Sequence, residues 1–164
     1  MRLARPSAKS IVEAVATLSV LGSLLLVILE LAANERAVRS ATASDVALSL
    51  GQYYANVGLY GQAGKLFRRG MREPAELTEE ELADFIFLLH GGVLLYQNAF
   101  VLGQEGTLDQ SLRTVTLETL SSIVSTPGFK LYWSQRHSVF TQEFQDYVLE
   151  LESHAPSALH RLYE

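Results

Sequence analysis

The apolar positions of the chain follow two patterns. From Ala14 to Leu29 the sequence reads AVATLSVLGSLLLVIL, sixteen residues without a charge. Beyond Asn34 apolar residues recur every three or four positions, the spacing of one helix face, and no alternation of the strand kind persists. This predicts an all-α protein: an N-terminal transmembrane helix followed by a small helical bundle.

Ile11 to Ala33 is a stretch of 23 residues. As helix it spans about 34 Å at ~1.5 Å per residue, enough for a hydrocarbon core of ~30 Å. Glu13 and Glu30 then fall near the two interfaces, where a carboxylate costs far less than at mid-bilayer. A cleaved signal peptide is the rival reading and fits less well. Leu31 would occupy its −3 position if Ala33 ended it, and Ala41-Thr42-Ala43 lies about a dozen residues past the apolar run. Ser19 and Ser23, beside Gly22, form a small-xxx-small pair of a kind that lets membrane helices approach closely, although small residues are frequent in any membrane helix.

No proline interrupts residues 7–73, so the anchor is expected to run on as one helix to about Val57, with a break near Gly58 and Gly61. A short helix fits Gln62–Met71 and stops at Glu73-Pro74, because the residue before proline disfavours helical backbone. Thr78 with Glu81 makes a capping box for a long helix that runs to Gln104 and stops at Gly106. Apolar residues occupy nearly every side of that helix, which marks it as the buried central element. Gly91-Gly92 interrupts it, for close packing or for a bend. Thr107-Leu108-Asp109-Gln110 reads as a second capping box. Thr126-Pro127 starts a further helix and Thr141 caps the last one. The expected division is a basic segment at 1–10, the transmembrane helix at 11–33, the helical domain at 34–152 and a flexible tail at 153–164. No internal repeat is present.

Charge narrows the function classes. The net charge is −5. Three basic and two acidic residues leave +1 in residues 1–33, and hence −6 in the remainder. Nucleic-acid binders are more often basic, so no nucleic-acid partner is expected. The chain has no cysteine, which excludes disulfides and thiolate metal sites and suits either side of a membrane. Arg2, Arg5 and Lys9 precede the apolar run and Arg36 and Arg39 follow it. The bias slightly favours a cytoplasmic N-terminus with the helical domain outside.

Several strings carry a resemblance: Lys65-Leu66-Phe67-Arg68-Arg69-Gly70, Phe87-Leu88-Leu89-His90, Tyr96-Gln97-Asn98-Ala99-Phe100 with Glu105-Gly106, Pro127-Gly128 with Tyr132-Trp133 and Arg136, and Phe140-Thr141 with Phe144 and Tyr147-Val148. Over about residues 35–150 the chain resembles a group of uncharacterised bacterial single-pass membrane proteins with a small C-terminal helical domain. The resemblance implies an inner-membrane location and this architecture. It transfers no catalytic residue.

Three constellations are candidates for chemistry. Lys65, Arg68, Arg69 and Arg72 stand at i, i+3, i+4 and i+7 and share a helix face. They form an anion or partner face, or else a solvated face paired with the acidic run Glu76, Glu79, Glu80, Glu81 and Asp84. His90, Asn98 and Glu105, with Tyr96 and Gln97, could line a small pocket, although buried polar groups more often satisfy one another. Tyr132 and Trp133, with Arg136, could form a partner-binding aromatic surface, or else Trp133 anchors the core. No metal or cofactor is expected: His90 and His137 are isolated, His154 and His160 lie in the tail, and the Gly58, Gly61, Gly64 string follows no strand and lacks a Gly-Lys ending. The reading is a membrane-anchored interaction or scaffolding module that is not an enzyme, with a protein partner or a homo-oligomer. The alternative is a small-ligand or enzymatic site around His90, Asn98 and Glu105.

Overall fold

The computed structural model describes residues 8–59 and 61–154. Among them lie six α-helices and no strand: α1 (Ala8–Leu59), α2 (Gly61–Arg72), α3 (Glu79–Gln104), α4 (Gln110–Ile123), α5 (Pro127–Arg136) and α6 (Gln142–His154). Short 3-10 turns at Pro74–Glu76 and His137–Val139 link α2 to α3 and α5 to α6. The basic segment expected at 1–10 falls largely, and the tail expected beyond 153 almost wholly, outside the described residues. The chain divides within α1 into two compact units, Met1–Ser40 and Ala41–Glu164.

In the first unit the described apolar side chains of α1 are mostly exposed. Leu24, Leu26 and Leu31 are 54%, 68% and 67% exposed. The hydroxyls of Thr17, Ser19 and Ser23 each donate to the carbonyl four residues earlier, at 2.9 Å. These three hydroxyls are thereby satisfied within the helix itself.

The second unit is built around α3. Its Phe85, Ile86, Leu89, Val93, Tyr96 and Phe100 form one buried cluster with Met71 of α2, Leu117, Leu120 and Ile123 of α4, Phe129, Tyr132 and Trp133 of α5, and Phe140, Phe144 and Val148 at α6. A smaller cluster packs Val46, Ala43 and Leu50 of α1 against Ala99, Leu102, Leu108 and Leu112. Gly91-Gly92 does not break α3. A Cβ at Gly92 would lie 2.7 Å from the hydroxyl of Tyr53, so the pair admits that ring.

The helix ends follow side-chain chemistry. Thr78 accepts from the Glu81 N–H, and Glu81 accepts from the Thr78 N–H, completing the box. Gly106, at φ +70°, takes the left-handed turn that ends α3. The second box is corrected. Thr107 is still held in that turn, with its hydroxyl and its N–H both donating to Leu102. Asp109 therefore caps α4, accepting from Ser111 and Leu112. Thr126 and Thr141 cap α5 and α6.

The backbones of α2 and α5 touch at Gly70 and Gly128. A Cβ on Gly128 would run into the Gly70 carbonyl and lie 2.7 Å from the Met71 Cα, neither of which is a side chain that can swing away. Gly128→Ala should therefore destabilise the bundle by about 1–3 kcal/mol, the usual cost of overpacking. Gly58→Ala, which meets open space, should not destabilise it. Denaturant unfolding of the full chain in detergent, followed by circular dichroism, checks both.

Candidate functional site

The basic residues of α2 face the start of α3 across a groove. α2 and α3 are antiparallel neighbours: Arg69 meets Glu81, the Gly70 backbone meets the Phe85 ring, and Leu66 lies near Leu88. The groove between them has a volume of about 780 Å³ and opens to solvent. Ala63, Leu66, Phe87 and Leu88 give it an apolar lining, with Lys65 and Arg69 on the α2 wall and Glu81 and Asp84 on the α3 wall. Phe87 is 71% exposed.

Arg69 spans the narrow end. Its guanidinium donates twice to the Glu81 carboxylate, at 2.8 and 3.2 Å. That bond holds the Glu81 carboxyl below its ordinary range, helped by the Thr78 N–H, and it raises Arg69 in turn. One member of the basic face is thus committed to the acidic run. Lys65 and Arg68 are exposed, and no described residue forms an ion pair with Lys65 or with Asp84. Arg72 is also exposed.

His90, Asn98 and Glu105 do not come together. His90 is half-buried, and its Nδ1 lies 2.7 Å from the Tyr132 hydroxyl, with the Phe140 ring 5.6 Å from its own. Asn98 and Glu105 are exposed. Fifteen residues of helix separate His90 from Glu105, about 22 Å at ~1.5 Å per residue. The other polar groups of α3 serve packing. Gln97 accepts from the Thr141 N–H at the start of α6. The Tyr96 and Tyr54 hydroxyls share a hydrogen bond of 2.8 Å.

Of the two readings of Tyr132 and Trp133, surface or core, the structure has both rings inside. Tyr132 is fully buried and Trp133 is 7% exposed. The Trp133 ring is stacked between Phe129 and Phe140, with centroids 5.6 and 5.3 Å away. The tight α2–α5 contact places α5 with this side inward, so these rings are core. Burial pushes the Tyr132 phenol far above its ordinary range, so it enters the bond to His90 neutral. Among the described residues no group of three His, Asp or Glu side chains is placed to hold a metal. No protein family matches the chain, and no curated protein or solved structure matches it either.

Sequence reasoning missed the contribution of α1 to this unit. Tyr53 donates to the Leu88 carbonyl at 3.1 Å, and with Tyr54 it fixes residues 53–54 onto α3. The adjacent tyrosines were the available signal. It also missed Asp84 and Phe87 as groove residues, since neither stands out until α2 is laid alongside.

Two outcomes test these bonds. Tyr132→Phe leaves a ring nitrogen of His90 without its partner and should cost about 1–3 kcal/mol of unfolding free energy. Glu81→Ala should lower the melting temperature at neutral pH. A depressed carboxyl contributes stability above its unfolded pKa and loses it as pH falls through the folded value. The gap between wild type and Glu81→Ala should therefore narrow below about pH 4, as melting curves taken across pH would register.

Proposed function

We propose that this protein is a membrane-anchored helical interaction module that is not an enzyme, with residues 11–33 crossing the bilayer and the Ala41–Glu164 unit binding a protein partner. One comparison carries the reading. Two helices among the described residues, α1 and α3, are long and apolar enough to cross a membrane. Of the most apolar eighteen residues of α3, 44% are buried by the bundle; in α1 none are. Apolar surface left in water costs roughly 25 cal/mol per Å², and a bilayer removes that cost for the whole run. The dispersal of His90, Asn98 and Glu105 supports binding over catalysis. The excess of Lys and Arg before the apolar run supports a cytoplasmic N-terminus with the helical unit outside; the membrane proposed is the inner membrane of a bacterium.

Membranes from a bacterial host expressing the full chain with a C-terminal tag test this. After carbonate washing the chain should remain in the pellet. Leu21→Arg with Leu25→Arg places two charges near the middle of the segment, at about 2.5–3.5 kcal/mol each, and should move it to the supernatant. Wild-type chain in the supernatant would end the anchoring reading. Protease added to spheroplasts should remove the tag, and a protected tag would instead place the helical unit in the cytoplasm.

A further inference from the structure

The geometry points to a second copy of this chain as the occupant of the α2–α3 groove, in a two-fold dimer whose axis runs along the groove. The inference rests on the interaction-module reading and names its partner. The argument starts from the Arg69–Glu81 bond, which fixes the level of one helix against the other. Lys65 lies four residues back along α2, about 6 Å, and Asp84 three residues on along α3, about 4.5 Å. Because the helices are antiparallel, both steps lead the same way. Lys65 and Asp84 therefore line opposite walls at nearly one level, and no described residue pairs with either.

A groove with an unpaired cation on one wall and an unpaired anion on the other is complementary to itself. In a two-fold interface, residue i meets j while j meets i. Rotation about an axis along the groove lays α2 of one copy over α3 of the other, so Lys65 faces the second copy's Asp84 twice. An axis across the groove would instead set lysine on lysine. The same rotation carries the exposed Phe87 ring towards the second copy's Ala63, the small residue at the corresponding level of α2. The interface then holds two ion pairs and two buried phenyl rings.

The absence of cysteine makes the test direct. Differently tagged full-length chains carrying Ala63→Cys and Phe87→Cys are co-expressed, membranes are oxidised, and pellet and supernatant are both blotted. A disulfide-linked mixed dimer is expected, with far less product from either variant alone. Lys65→Glu in both chains should reduce it by about 10-fold, since like charges across an interface are strongly disfavoured. Lys65→Glu in one chain and Asp84→Lys in the other should restore it, which shows that both variants fold. No mixed dimer, a dimer indifferent to charge reversal, a Gly22→Cys crosslink without one at 63 and 87, or capture of a different protein by position 87 would each overturn the pairing. Failure of the anchor appears differently, as an intact mixed dimer in the supernatant.

Discussion

The structure of the helical unit follows from one constraint: α3 is apolar on nearly all of its sides and must be enclosed. A helix with a single apolar stripe needs one neighbour, whereas this one needs a shell. α2, α4, α5 and α6 supply most of it, and residues 43–54 of α1 close the remaining side. Enclosure makes every buried polar group on α3 a liability unless it is bonded. His90 answers to Tyr132, Gln97 to the Thr141 amide, and Tyr96 to Tyr54. Of the residues that read in the sequence as a pocket, His90, Gln97 and Tyr96 lead in space to different neighbours, and Asn98 and Glu105 are exposed.

The same composition has the opposite outcome at the N-terminus. Among the described residues, none of the most apolar eighteen residues of α1 is buried, against 44% of those of α3. The polar groups of this stretch that α3 would pass to neighbouring helices are returned by Thr17, Ser19 and Ser23 to the helix's own backbone. The hydroxyls of one helix are thus taken up by its own backbone, and the buried polar groups of the other by its neighbours.

Much of the fold is legible in the residues because it is set locally. The Thr78–Glu81 box, the Gly106 turn and the Thr126-Pro127 start are each written within four positions, and the helices begin and end where those signals place them. The Asp109 cap was misplaced because two good capping residues compete within three positions, and the return of Thr107 onto Leu102 decides between them. The site was harder to read. Burial of Trp133 depends on how closely α5 approaches α2, which a pair of glycines 58 positions apart controls. The groove depends on two helices lying side by side, and a linear pattern marks its cations without marking the Asp84 and Phe87 that complete it.

That glycine pair has one more consequence. Where α2 meets α5 the contact is backbone on backbone, so the seat of α2 does not depend on how its outward side chains pack. Its placement and its surface are therefore separable traits. Exchanging the exposed charges at positions 65 and 68 would leave the wall that presents them where it is. Change at positions 70 and 128 would shift the wall and every surface residue on it at once.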